Sequence, residues 1–292
     1  EDDEMAYIQF SSGSTGSPRA LLLKMKDVVF NLEMMSQRIP IGSDDNIFSW
    51  LPVYHDMGLF GSFMLNIYIG SNLTMADPSM FARSPMMWFR VIDERRSDIT
   101  VGPPSALLGA LKILEKRPPD SLDLSTCSKW LVGAEQVTPS LVRLFNRVTA
   151  PYGIPAYSLK PVYGMAEITL AATIPTHTHL AHTEKILRKP FEIDGLALST
   201  TDDLPEDEIL EWTACGYALS GQGLRIASPD GSDLPDRRIG SILLSSPSLY
   251  AGIINGDEFI AREGEWLDTG DLGYVADGHL FITGRTREVI IK

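Results

Sequence analysis

Residues 10–20 read FSSGSTGSPRA. Gly13 and Gly16 allow positive φ and close backbone approach, so successive N–H groups and the hydroxyls of Ser11, Ser12, Ser14 and Thr15 can converge on an anion. Arg19 adds positive charge at the end of the run. A Walker-type phosphate loop needs Gly-Lys-Ser/Thr after its second glycine, and here Gly16 is followed by Ser-Pro-Arg-Ala, which argues against that site. By composition the run also fits a flexible linker.

Four further segments combine polar and apolar residues in ways that suit chemistry. In WLPVYHDMGLFGSF, residues 50–63, His55 and Asp56 interrupt an apolar stretch that continues as a helix; His55 reads either as a capping or core residue or as a catalyst. LVGAEQV, 131–137, is a strand running into a turn at Gly133, Ala134 and Glu135. VYGMAEITLA, 162–171, sets Glu167 after an expected tight Tyr163-Gly164 turn, where a carboxylate caps a helix or holds a hard cation. In WLDTGDLGYVADGHLFITGRTREVIIK, 266–292, Asp271 sits in an expected Thr-Gly-Asp-Leu-Gly turn and Arg285 follows a glycine.

The elements around these segments predict a layered α/β domain. Strand-like runs at 5–10, 99–101 and 130–132 alternate with helical patterns from about Asp27, over 106–114 and over 141–148. From about Gly195 short alternating runs at 223–227, 242–244 and 279–282 between Gly, Pro and Asp turns predict a β-rich subdomain. With 292 residues, 44% of them hydrophobic, the chain can bury a substantial core. The net charge of −13 argues against a general nucleic-acid binder. Cys127 and Cys215 are too few and too isolated for a disulfide framework or a zinc site, which suits a reducing compartment, the cytoplasm. No apolar run has the length of a membrane span, and the acidic start is the reverse of a signal peptide. Both ends read as cuts, the last within the strand-like run Val289-Ile290-Ile291.

Taken in order, the five segments resemble the adenylate-forming superfamily of acyl-CoA synthetases, luciferases and peptide-synthetase adenylation domains, through the Ser/Thr/Gly loop, YGMAE, TGD and the Gly284-Arg285 pair. WLPVYHDMGL, GAEQV and YGMAEITLA look most like fatty acyl-AMP ligases. The resemblance implies an α/β core followed by a β-rich subdomain, part of the large N-terminal domain of such an enzyme. It divides the chain into an α/β nucleotide- and acyl-binding part (1–194), a β-rich part (195–284) and a hinge (285–292) to a C-terminal lid. It further implies ATP and Mg2+ as cofactors. Ser11, Ser12, Gly13, Ser14, Thr15 and Gly16 would wrap the β- and γ-phosphates, with Arg19 where many relatives have lysine. Gly133, Ala134 and Glu135 would line the adenine slot, Tyr163 would stack on the base and Gly164 would allow its close approach, within the segment that continues through Met165. Glu167 would ligate magnesium, Asp271 would accept the ribose hydroxyls, Arg285 would donate to ribose or phosphate, and His55 would border the acyl carboxylate. Ala166 stands where many members have threonine, which puts one hydroxyl contact to the α-phosphate in doubt.

Met57, Leu59, Phe60, Phe63, Met64 and Ile67 are candidates either for the acyl-pocket wall or for plain core. His177, His179 and His182 fit a solvated loop better than any zinc spacing. The segment 175–211 reads either as a mobile surface loop or as the insertion that fatty acyl-AMP ligases carry. Three function classes stay open: a fatty acyl-adenylating enzyme passing its product to an acyl carrier protein thiol, an acyl-CoA ligase, and a non-catalytic nucleotide- or acyl-adenylate-binding member of the fold.

Overall fold

The computed structural model describes residues 5–11, 19–200, 204–256 and 258–286. The expected loop residues Ser12 to Gly16, the strand-like run at 289–291 and the hinge beyond Thr286 lie outside them.

Five short strands, Asn46–Ser49, Asn72–Met75, Ile99–Gly102, Lys129–Val132 and Leu159–Pro161, form a parallel sheet in which Asn46–Ser49 lies between the second and third. Consecutive residues such as Ile47 and Phe48, or Trp130 and Leu131, are buried, so both faces of this sheet are covered. The helices Pro104–Lys116 and Pro139–Thr149 each open on a proline, where the missing N–H has no helical partner to lose. The Thr138 hydroxyl caps the second by accepting from the Leu141 N–H at 3.3 Å. Their buried positions recur at helical spacing, through Leu107, Leu111 and Leu114 in one and Leu141, Phe145 and Val148 in the other. The predicted helices at 106–114 and 141–148 fall inside these two. Trp88, Trp130 and Phe145 pack ring to ring at 5.5 and 5.4 Å in the core, each fully buried side chain contributing on the order of 1.5–3 kcal/mol.

The remaining sheets are antiparallel. Met5–Ser11 and Arg19–Lys24 form a hairpin with Ser11 opposite Arg19, so the serine- and glycine-rich run joins two paired ends. That hairpin is extended by Gly252–Asn255 and Glu258–Ala261. Gly223–Ala227, Gly240–Ser245, Leu267–Ala276 and His279–Arg285 make the four-stranded sheet of the β-rich part. Sheets join residues from both sides of the expected 194/195 division: Gly252–Asn255 pairs with Arg19–Lys24, and Tyr217–Ala218 with Ala171–Ile174.

Two local expectations are corrected. Tyr163-Gly164 is not a turn but a two-residue strand paired with Ala171–Ile174, and the chain reverses over Ala166–Thr169 instead. The glycine is needed there for close approach, since a Cβ on Gly164 would lie 1.7 Å from the Leu170 carbonyl oxygen. Likewise Thr269-Gly270-Asp271 lies within the strand Leu267–Ala276, where the three residues stand opposite the single residue Ile242. Gly270, at φ 73°, makes a bulge rather than a reversal because the ladder resumes on either side.

The described residues of the segment 175–211 include regular elements. The strand Thr183–Leu187 pairs with Ile209–Thr213, and the helix Arg188–Asp194 lies between them in sequence. Arg143 holds Glu211 at 2.7 Å, and Arg237 and the Tyr274 hydroxyl both reach Glu184. His177, His179 and His182 are exposed, His182 stacks on His279 at 4.9 Å, and no group of three or more His, Cys, Asp or Glu among the described residues is placed to hold a metal.

Candidate active site

A cavity of about 890 Å³ takes in Val101 and Leu131 from the carboxyl-terminal halves of two parallel strands and Val162 just beyond a third. In parallel α/β sheets this is the end at which ligands bind. Its polar end gathers residues from segments far apart in sequence.

Asp271, only 7% exposed, is the centre of that end. Its Oδ2 accepts the Tyr163 hydroxyl at 2.7 Å, and its Oδ1 is ion-paired with Arg285 Nε at 3.2 Å. The bulge aims the carboxylate: Asp271 N–H donates to Thr269 Oγ1, which itself donates to the Ile242 carbonyl. The strand pairing sets Arg285 directly opposite Asp271. Burial first, and the adjacent carboxylate next, push the Tyr163 phenol well above its ordinary range, so it stays a protonated donor. No local signal marks the Tyr163–Asp271 bond, whose partners are 108 positions apart.

Glu167 lies half-buried in the 3₁₀ turn Ala166–Ile168 and borders the same cavity. Its backbone carbonyl accepts the Tyr250 N–H, and Asn31, buried in the helix Met25–Arg38, clamps the adjoining strand by exchanging hydrogen bonds with both backbone groups of Ala171. Thr169, at φ 69°, is tied through its hydroxyl to the Ser248 carbonyl. No hydrogen bond or ion pair from a described residue engages the Glu167 carboxylate, so it does not act as a helix cap. A lone carboxylate bordering a cavity fits magnesium, which typically takes one or two protein carboxylates and completes its shell with phosphate oxygens and water.

His55 is the N-cap residue of the turn Asp56–Gly58 and borders the cavity. Its Nδ1 lies 2.7 Å from Asp56 Oδ1 and 3.3 Å from Met57 N. The shorter distance puts a proton on Nδ1 and leaves the Met57 N–H to Asp56, which it reaches at 2.7 Å. The hydrogen bond to Asp56 raises the imidazole above its ordinary value, against the opposing effect of burial.

Arg19, Ala134, Gly164, Met165 and Ala166 also border the cavity. Ala134 sits at φ 68°, a left-handed conformation that costs a non-glycine residue about 1–2 kcal/mol. Gly133 and Glu135 are not in the wall: Gly133 packs on Val162, and the Glu135 carboxylate accepts from the Ser105 N–H and hydroxyl, both at 2.9 Å. The backbone of Ser11 is paired with Arg19.

The rest of the cavity is apolar. Of the six residues read as either acyl-pocket wall or plain core, Met57 alone borders the cavity, followed at four-residue steps by Gly61 and Leu65. Residues 59–64 form a π-helix, which shifts the phase of the face; Phe60 turns into the core against Tyr7, while Phe63 and Ile67 are exposed. Met35 and Ile39, in and just after the helix Met25–Arg38, and Leu170 and Ile174, before and in the strand Ala171–Ile174, complete the apolar wall, a role the sequence reading did not assign to them.

The profile of the AMP-binding enzyme family matches residues 1–254. The chain is 32% identical over 99% of its length to a protein of Mycobacterium tuberculosis named provisionally as a ligase, and covers 54% of that relative. It is 28% identical, over 99% of its length and 50% of the relative, to a medium-chain-fatty-acid–[acyl-carrier-protein] ligase of Moorena producens. A fatty acyl-adenylate ligase from L. pneumophila, solved in complex with acyl adenylate and pyrophosphate, superposes with a TM-score of 0.90 at 27% identity over all of this chain and 52% of that one. The chain therefore spans about half the length of the relatives it matches.

Proposed function

From the premise that the chain belongs to the AMP-binding enzyme family, we propose that it is the nucleotide- and acyl-binding part of an enzyme that activates a fatty carboxylic acid. The carboxylate attacks the α-phosphorus of ATP, an acyl-adenylate forms and pyrophosphate leaves. The observation that carries this reading is the convergence of Arg19, His55, Glu167 and the Tyr163–Asp271–Arg285 trio on one cavity whose other end is apolar.

Two anions must meet, so the work is positioning and charge neutralisation. Asp271 keeps lone pairs on both oxygens for the ribose hydroxyls, while Tyr163 and Arg285 fix its plane. The Tyr163 ring and the backbone at Ala134 and Gly164 flank the base. Arg19 and the run 11–16 meet the phosphates. Glu167 would hold magnesium, which when bound neutralises phosphate charge and polarises the attacked phosphorus. His55, held by Asp56, borders the acyl carboxylate, and the wall of Met57, Gly61, Leu65 and Ile174 takes the chain.

The acceptor we assign is the phosphopantetheine thiol of an acyl carrier protein, supported by the relative named for that transfer. The reading locates the reaction in the cytoplasm, in keeping with the free, buried Cys127 and Cys215; among the described residues no helix is long and apolar enough to cross a membrane. Pyrophosphate exchange by the full-length protein with a fatty acid tests the first half. Acyl transfer to holo carrier protein in preference to CoA tests the second, and efficient acyl-CoA formation would favour a CoA ligase.

A further inference from the structure

Thr169, two residues after Glu167, has φ 69° and ψ −61°, and the Leu170 N–H closes back on the Ile168 carbonyl at 2.9 Å. This is a γ-turn of the positive-φ kind, rare and strained, the more so with a β-branched side chain at its centre. Such a turn persists only where its surroundings over-determine it. Here Ser248 supplies two ties: its carbonyl accepts the Thr169 hydroxyl at 3.0 Å, and its own hydroxyl donates to the Ile168 carbonyl at 3.2 Å. Asn31 holds Ser248 in turn, donating from Nδ2 to Oγ at 3.2 Å, while the same side chain exchanges bonds of 2.9 and 3.0 Å with Ala171. Asn31, Thr169 and Ser248 are all fully buried. The helix Met25–Arg38 is thereby fastened to the turn at two points, at Ile168 through Ser248 and at Ala171 directly.

Resting on the magnesium role proposed above for Glu167, we propose that Asn31 is a positioning residue for the reaction: by anchoring the γ-turn it sets where the Glu167 carboxylate stands in the cavity, and so how tightly the divalent cation is held. None of the bonds from Asn31, Ser248 or Thr169 touches the Glu167 side chain; they act on the backbone that carries it. Magnesium demands near-ideal geometry, so a carboxylate serves it only from a narrow range of positions. A turn without its anchor relaxes toward unstrained φ and ψ and carries Glu167 out of that range. The Ala171 carbonyl also accepts from Gln222 at 3.1 Å, so replacing Asn31 leaves it paired, and the loss falls on the Ser248 arm and the Ala171 N–H.

The test is Mn2+ binding to the full-length protein with a nonhydrolysable ATP analogue, followed by electron paramagnetic resonance, alongside pyrophosphate exchange. Asn31→Leu, close in volume, should weaken Mn2+ about tenfold, the lower end of what outer-shell partners contribute to metal affinity. In exchange it should raise the Mg2+ concentration for half-maximal rate by a similar factor, leave the KM for the fatty acid unchanged and recover the wild-type kcat in excess Mg2+. Ser248→Ala removes the Ile168 arm and leaves the bonds of Asn31 to Ala171 in place. This milder change should weaken Mn2+ about threefold, the low end for one hydrogen bond. Leu111→Ala, a core change in the helix Pro104–Lys116, should lower the unfolding temperature without moving Mn2+ affinity. Mn2+ weakened by Glu167→Gln but unmoved by Ser248→Ala, or by Asn31→Leu where that variant folds, would overturn the role of Asn31 and leave the metal role of Glu167 standing. A raised KM for the acid with Mn2+ binding unmoved would mean that Asn31 acts on the pocket wall, and would overturn its role likewise. Unmoved Mn2+ binding in Glu167→Gln would overturn both.

Discussion

The two ends of the cavity are built in different ways. At the polar end each residue type is tied to a specific partner: Asp271 to Tyr163 and Arg285, His55 to Asp56, with Glu167 left open to the cavity. Their positions come from irregularities, namely a three-residue bulge, a 3₁₀ turn and a capped helix start. At the apolar end Met57, Gly61 and Leu65 are set by the phase of a helix, and any side chain of similar volume fills the same space. Chemistry depends on residue identity at one end and on volume at the other.

Substitutions should separate the two ends. The largest effect is expected from Glu167→Gln, which keeps the shape and removes the charge. It should cost about 3 kcal/mol of transition-state stabilisation, roughly a hundredfold in exchange rate, measured in the full-length protein. Near-normal exchange would remove Glu167 from the metal site. Next, Tyr163→Phe leaves one buried oxygen of Asp271 unpaired and should raise the KM for ATP by about tenfold. Asp271→Ala should raise it further. Adding Tyr163→Phe to Asp271→Ala should then cost almost nothing more, since the partner is gone; additive losses would mean the phenol acts elsewhere.

At the apolar end, Gly61→Val should raise the KM for the longest acids by about 1–2 kcal/mol and leave that for ATP unchanged, because a Cβ there already comes within 3.1 Å of Leu170. Leu65→Met, which conserves volume, should be close to silent. The smallest expected effect concerns pH. The hydrogen bond to Asp56 raises the folded-state value of His55, so its stabilising contribution is complete below the unfolded value of about 6.5 and disappears as pH rises through the raised folded value. An NMR titration should show the His55 midpoint fall in Asp56→Asn, and an unmoved midpoint would break the pairing.

The same contrast explains what could be read from sequence. The helices at Pro104–Lys116 and Pro139–Thr149 announce themselves by periodicity and by prolines at their starts, and the strands by short apolar runs. Asp271, Glu167 and Arg285 stood out as candidates because their neighbours form recognisable short segments. The geometry around them was not: the bulge at Thr269–Asp271 depends on the register of another strand, and the Tyr163–Asp271 bond on two segments meeting in space. Which face Leu59 to Ile67 present could not be read, because hydrophobic spacing assumes 3.6 residues per turn and residues 59–64 form a π-helix. The bonds of the Glu135 carboxylate to Ser105, at the start of Pro104–Lys116, were likewise unmarked in the sequence.

The sheet that joins Arg19–Lys24 to Gly252–Asn255 also has a consequence for how the chain is made. The hairpin emerges from the ribosome well before its third strand, with Leu21 and Leu23 destined to be among the most deeply buried side chains. Its third strand follows only after about 230 more residues, which at typical synthesis rates takes on the order of ten to fifty seconds. Throughout that interval one edge of the nascent hairpin is a bare ladder. Slowing translation between the two strands should therefore increase misfolding and chaperone dependence more than the same pause placed after residue 261.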